Sequence, residues 1–162
     1  MRGPSVFSGA AGGPGKVLRY GIYAREPSYV RSPLDRASVQ EQVCKRHLAL
    51  HKEGLSQCVH TATYVDVGFA AGAPARPSLQ RLLADVDAGK IDLVVIAGAW
   101  NILAGSAVEL EAIFAILKAQ RVPILSATGL IDPSSAADKP LLDMVRSLAA
   151  VEAQQIDSGS GR

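Results

Sequence analysis

Short apolar runs alternate with helical patterns of apolar residues along most of this chain. Four runs predict β-strands, because they are short and rich in apolar and β-branched residues: 17–24, 61–65, 93–96 and 122–126. Between and after them, the spacing of apolar residues predicts helices that begin near residues 38, 78, 106 and 140. The run 93–96 is apolar throughout, as expected for a parallel strand covered on both faces. This alternation predicts a three-layer α/β fold, with a mostly parallel central sheet flanked by helices and a long C-terminal helix.

Polar residues at the predicted helix ends refine these boundaries. Ser38 with Glu41 three residues later predicts a capping box at the first helix, and Gly54 is a suitable C-terminal glycine for it. Ser78 is the predicted cap of the second helix. Pro140 suits the first turn of the last helix, which we expect to run to about residue 155.

The two ends of the chain differ in composition from its middle. Residues 1–16 are rich in Gly, Pro, Ala and Ser, and residues 157–162 are mostly small and polar, so both segments are predicted to be flexible tails. The predicted folded domain is therefore 17–156. That length suits one domain with one hydrophobic core.

Composition narrows the classes of partner and site. The net charge is +2 and the basic residues are scattered, without the clustered basic face of most DNA-binding domains. Cys44 and Cys58 form neither a metal-binding nor a disulfide pattern, which favours a location in the reducing cytoplasm. His47 and His51 are one helical turn apart but lack a third ligand, so we predict no metal site and no cofactor. We find no run that predicts a membrane span or a signal peptide.

Several short motifs occur in an order and at intervals that resemble one known family. They are Tyr23-Ala24-Arg25, Ser38-Val39-Gln40-Glu41-Gln42, Asp66-x-Gly68 followed by Arg76-Pro77-x-Leu79, Ala88-Gly89-Lys90-Ile91-Asp92 and Thr128-Gly129-Leu130-Ile131-Asp132. Each motif is weak alone. Together they resemble the catalytic domain of the serine recombinases (resolvases and invertases) over roughly residues 18–152. The resemblance implies a resolvase-like fold.

The resemblance also implies a chemistry. Members of the family cut DNA with a serine hydroxyl, which attacks a backbone phosphate and becomes joined to it, without a metal ion. Positively charged side chains must then stabilise the charge on the phosphoryl oxygens. Arginine suits this role because its planar group donates two hydrogen bonds to a phosphate.

Part of the family's site has counterparts here. Arg25 and Arg76 match arginines that bind phosphate in the family, and Gln42 matches a glutamine that faces the site. Pro27 stands where the family has its serine, and Ser28 follows one residue later. Ser28 becomes the candidate nucleophile if one residue is inserted; otherwise it is an ordinary loop serine.

The rest of the site is missing. The family's central strand ends in Asp-Arg-x-x-Arg, and the three charged positions are here Trp100, Asn101 and Ala104. Asn101 can donate a hydrogen bond to a phosphate but carries no charge. Loss of one preorganised donor typically slows a reaction about 100- to 1,000-fold, so the expected strand-cleavage activity is weak or absent.

Three hypotheses follow. The first is a recombinase-like domain with a degenerate site, which contacts DNA weakly through backbone phosphates and forms a homodimer or higher homo-oligomer through the last helix. The second is an active recombinase that uses Ser28, Arg25 and Arg76. The third is a protein interaction module without DNA binding. No helix-turn-helix, zinc ribbon or basic tail follows residue 155, so either the sequence is a piece of a longer protein or the protein lacks its own DNA reader.

Overall fold

The computed structural model describes residues 17–51, 57–69, 73 and 75–159, with the side chains of 153 and 156–159 left out. The strands are β1 (Leu18–Glu26), β2 (Cys58–Val67), β3 (Leu93–Ile96), β4 (Ile124–Ser126) and β5 (Gly129–Ile131). The α-helices are α1 (Ala37–Leu50), α2 (Pro77–Asp87), α3 (Ala107–Ala119) and α4 (Lys139–Gly159). Short 3-10 helices cover Pro33–Asp35, Trp100–Ile102 and Ala136–Asp138. The predicted tail 1–16 lies outside the described residues, whereas α4 continues into the predicted tail 157–162 as far as Gly159.

The described strands form one sheet in the order β2-β1-β3-β4-β5. β1 to β4 are parallel, and β5 is antiparallel to β4. β3 lies in the middle with all of its residues buried, which confirms that both of its faces are covered. The predicted α/β fold with a mostly parallel sheet is confirmed. The short strand β5 was not predicted, because three residues give too brief a pattern to recognise.

The predicted capping box at the start of α1 was wrong. The helix begins at Ala37, so Ser38 already lies inside its first turn. A carboxylate from the end of β1 supplies the missing acceptor, since Glu26 Oε2 accepts the Ala37 N–H at 3.0 Å. Glu41 pairs with Lys45 instead. Gly54, the predicted end of this helix, lies outside the described residues.

The start of α2 also has an acceptor from a distant part of the chain. The helix begins at Pro77, so the prediction that Ser78 is its cap was wrong. Asp66 at the end of β2 accepts the N–H groups of Ser78 at 2.9 Å and Leu79 at 3.0 Å. The Ser78 hydroxyl donates to the Val65 carbonyl at 2.7 Å, which ties α2 to β2 a second time.

The helix α3 is capped by its own serine and by α4. Ser106 accepts the Glu109 N–H, as the predicted helix start requires. Glu152 of α4 accepts the N–H groups of Ala107 and Val108 at 2.8 and 3.3 Å. These hydrogen bonds fix α4 along α3.

The apolar residues of α4 divide between two faces of the helix. Val145 and Ala149 are buried, and Leu142 packs against the core. Met144, Leu148 and Val151 are 55%, 52% and 51% exposed, at the spacing i, i+4, i+7 of one helical stripe. No helix in the described part of the chain is long and apolar enough to cross a membrane.

The Asp66→Asn variant should be less stable than the wild type by about 2–3 kcal/mol, because an amide oxygen cannot replace a buried carboxylate that accepts several hydrogen bonds. The measurement is the free energy of unfolding from urea denaturation. Asp143→Asn is the matched control, since Asp143 lies at the surface and pairs with Lys139. Equal unfolding midpoints for the two variants would contradict this role of Asp66.

Candidate functional site

The carboxyl ends of β1, β2 and β3 lie side by side because these strands are parallel and adjacent. In open α/β sheets this edge is where ligands bind. It brings together Arg25 from β1, Asp66 near the end of β2, Gly68 just after that strand, and the turn Trp100–Ile102 that follows β3. Arg76, the residue directly before α2, joins this group.

Arg25 bridges two loops at this edge. One guanidinium nitrogen donates to the Phe69 carbonyl and the other to the Asn101 carbonyl, each at 3.1 Å. Its Nε is buried and has no hydrogen-bond partner among the described residues. The guanidinium group therefore connects the loop after β2 to the turn after β3 through backbone oxygens.

The glutamine that reaches Arg25 is Gln40, not the predicted Gln42. Gln40 is 1% exposed, accepts the Arg25 N–H at 3.1 Å and donates to the Arg25 carbonyl at 2.8 Å. Gln42 is exposed on α1, and the structure does not bring it together with the other candidates. The two glutamines are two residues apart, so they point away from each other around the helix. The buried Cys44, four residues after Gln40, marks the inward face that identifies Gln40.

Ser28 lies exposed beside the end of β2. Its hydroxyl donates to the Gly68 carbonyl at 3.1 Å, and the Gly68 N–H donates to the Glu26 carbonyl at 2.7 Å. Gly68 has a φ of +83°, which favours glycine in this bend. Pro27 has no hydroxyl and continues the chain from β1 to Ser28. Ser28 thus reaches the same edge as Arg25, with its proton engaged by a carbonyl.

Arg76 is 2% exposed and is paired inside the protein. Its guanidinium forms an ion pair with the Glu109 carboxylate of α3. It also approaches the Tyr23 hydroxyl and the Ile102 carbonyl, both at 3.5 Å. A buried guanidinium needs such partners because an uncompensated buried charge is strongly destabilising.

Tyr23 links Arg76 to Asp66. Its hydroxyl donates to Asp66 Oδ2 at 2.9 Å. Burial raises the pKa of Tyr23 above its ordinary value, so the hydroxyl keeps its proton and donates across the neutral pH range. Arg76, Tyr23 and Asp66 therefore form a continuous buried polar chain.

The turn after β3 carries no charged side chain. Trp100 packs edge-on against Phe114 of α3, with ring centroids 5.4 Å apart and an interplanar angle of 89°. Asn101 is exposed and accepts from Arg25 through its backbone carbonyl. Ala104 is buried, 7% exposed. The two arginines donate to successive carbonyls of this turn, Arg25 to Asn101 O and Arg76 to Ile102 O.

Sequence reasoning missed Glu109, Tyr23 and Gln40. Glu109 could have been recognised as the third residue after a serine helix cap, but its contact with Arg76 joins residues 33 positions apart. In the described residues there is no group of three or more side chains that could hold a metal ion.

Comparison with known proteins identifies the family of this chain. The family model described as "Resolvase, N terminal domain" matches residues 22–160. The chain belongs to the resolvase family. The resemblance and the fold inferred from the sequence motifs are thus confirmed. Among curated proteins there is no significant match.

Solved structures of recombinases share the fold of this resolvase-family domain. A resolvase family site-specific recombinase from Streptococcus pneumoniae has a TM-score of 0.70 and 18% identity, over 88% of this chain and 93% of that one. The N-terminal catalytic domain of TP901-1 integrase has a TM-score of 0.65 and 19% identity, over 85% and 98%. The C-terminal catalytic domain of ISC1926 TnpA, an IS607-like serine recombinase, has a TM-score of 0.55 and 17% identity, over 90% and 100%. At these identities the likeness concerns the fold alone.

Proposed function

We propose that this domain keeps the scaffold of a serine recombinase but has little or no DNA strand-cleavage activity. It contacts DNA weakly through backbone phosphates and associates with a second copy of itself. Its role is in DNA recombination as a binding and assembly domain rather than as the strand-cutting subunit. The observation that carries this proposal is that both candidate phosphate-binding arginines donate to groups of the protein itself.

The charges around the site support this proposal. Phosphoryl transfer without a metal depends on cations placed around the phosphate. Arg25 donates to two backbone carbonyls and Arg76 to a carboxylate. Trp100, Asn101 and Ala104 add no positive charge. A phosphate next to Ser28 would therefore meet few free donors.

The partly free state of Arg25 supports weak contact with a phosphate. Its guanidinium is partly buried, and its hydrogen bonds go to carbonyls rather than to a carboxylate, so its positive charge is not neutralised by those partners. It lies at the edge of the sheet that also presents Ser28. Arg25 is thus the residue of the site best placed to attract the DNA backbone.

A covalent-trapping assay tests the absence of cleavage. The wild-type protein is incubated with a pool of supercoiled plasmids carrying random inserts, and protein–DNA adducts are counted on a denaturing gel. We expect no adduct from either the wild type or Ser28→Ala, with an active family member as the positive control. An adduct formed by the wild type and lost in Ser28→Ala would contradict the proposal and support an active enzyme that uses Ser28. Absence of any DNA retention in filter binding at low salt would instead favour a pure protein interaction module.

The outer stripe of α4 supports self-association. Met144, Leu148 and Val151 are each about half exposed, while the opposite face of the helix is already occupied by α3. A two-fold dimer would pack this stripe against the same stripe of the second copy, so each of the three residues would be buried in both protomers. Burial of a leucine side chain typically contributes about 1.5–3 kcal/mol.

The Leu148→Glu variant should be monomeric under conditions in which the wild type is a dimer, with at least a ~100-fold weaker association constant. Sedimentation velocity over a concentration series gives the mass. Ala150→Glu is the control, since Ala150 is also exposed on α4 but lies off the stripe. A monomeric wild type, or a dimer that survives Leu148→Glu, would show that α4 is not the contact.

A further inference from the structure

Arg76 depends on a partner that is itself partly exposed. The Arg76 side chain is 2% exposed and the Glu109 side chain 31%. The contacts of Arg76 with Tyr23 and the Ile102 carbonyl are at the 3.5 Å limit of a hydrogen bond, so Glu109 is its strongest partner. The group that closes the end of the guanidinium toward solvent is therefore a partly exposed carboxylate.

The local charge disfavours any other anion at this position. Asp66 reaches Arg76 through the Tyr23 hydroxyl, and Glu109 reaches it directly. Two carboxylates thus share one guanidinium, and the cluster has a formal excess of negative charge. A phosphate that approached Arg76 would be repelled by Glu109 and would have to displace it.

The backbone around Glu109 holds the carboxylate in place. Ser106 Oγ accepts the Glu109 N–H at 3.2 Å, and Glu109 Oε2 accepts the Gly105 N–H at 3.0 Å. One carboxylate oxygen thus accepts a backbone N–H from the residue before the helix cap, while the other binds Arg76. The side chain has a structural reason to stay in the position that covers the arginine.

An open groove adjoins the ion pair. It lies between α2 and α3, has a volume of about 500 Å³ including open solvent, and is lined in part by Arg76, Gln80 and Glu109. A small anion that replaced the Glu109 carboxylate could therefore reach the guanidinium from this side. Gln80, exposed on α2, could add an amide donor.

We propose that Glu109 is an internal competitor for phosphate: its carboxylate occupies the anion-binding position of Arg76, and its removal turns that position into a phosphate site. The inference rests on the proposed function in that Glu109 is the residue that keeps Arg76 from the DNA backbone. The chemistry that would be recognised is a phosphate group, free or within a diester.

The test compares phosphate binding by Glu109→Gln and Glu111→Gln. Both variants remove one carboxylate from α3, but Glu111 pairs with Arg146 at the surface. The amide of Glu109→Gln retains an oxygen for Gly105 or Arg76, so the fold should persist. Inorganic phosphate is titrated by calorimetry at constant ionic strength. Removal of one close like charge should lower the dissociation constant of Glu109→Gln for phosphate at least about tenfold relative to Glu111→Gln and the wild type.

Two further measurements locate the bound phosphate. Adding Arg76→Met to Glu109→Gln should abolish the gain. Trp100, the chain's one tryptophan, lies in the turn whose Ile102 carbonyl faces Arg76, so phosphate should change the Trp100 emission in Glu109→Gln alone. This second measurement decides the matter if the double variant does not fold. Equal phosphate affinities in Glu109→Gln and Glu111→Gln, or an unchanged Trp100 emission, would overturn the inference.

A DNA titration separates free phosphate from backbone phosphate. If a short duplex binds Glu109→Gln more tightly than Glu111→Gln, the Arg76 position accepts a diester; if the gain is confined to inorganic phosphate, it accepts the free anion. Either gain supports the competition by Glu109. The trapping assay tests cleavage independently, so an adduct formed by the wild type would refute the proposed function without bearing on Glu109.

Discussion

The buried carboxylate of Asp66 is the interaction on which the arrangement of the site depends. It lies near the end of β2, accepts the first free N–H groups of α2 and accepts a hydrogen bond from the Tyr23 hydroxyl of β1. A carboxylate that is 1% exposed is tolerated when its oxygens accept several hydrogen bonds, and Asp66 accepts three. Because α2 starts at this carboxylate, the residue before α2, Arg76, is brought against the turn after β3.

The chemistry of the two arginines follows from that placement. A buried guanidinium requires compensation, and in a chain with Trp100, Asn101 and Ala104 after β3 the compensation comes from carbonyl oxygens and from Glu109. Arg25 and Arg76 thereby hold neighbouring segments of the chain together. We propose that fold and site are separable in this domain: the resolvase scaffold persists while its cations take structural roles.

The sequence predicted those features of the fold that local patterns of residues determine. The continuous apolar run of β3 and the helical spacing of α2 and α3 gave the α/β fold, and the motif order gave the family. The sequence did not predict contacts between residues that are far apart along the chain. The caps of α1 and α2 come from Glu26 and Asp66 across the sheet, which no local capping pattern reveals. Gln40, and not the predicted Gln42, contacts Arg25, because the position around the helix axis decides which glutamine faces β1. Likewise, the Arg76–Glu109 pair joins α2 to α3, and no local motif encodes it.

Nuclear magnetic resonance of the arginine side chains tests most directly whether both guanidinium groups are bound to the protein itself. The spectra of the wild type are recorded with and without phosphate at constant ionic strength, and the signals are assigned with Arg25→Lys and Arg76→Lys. Guanidinium protons of Arg25 and Arg76 that exchange more slowly than those of the exposed Arg36, with Arg76 signals unchanged by phosphate, are the predicted result. Rapid exchange at Arg76, or a shift of its signals on addition of phosphate, would contradict a guanidinium group that is bound within the protein.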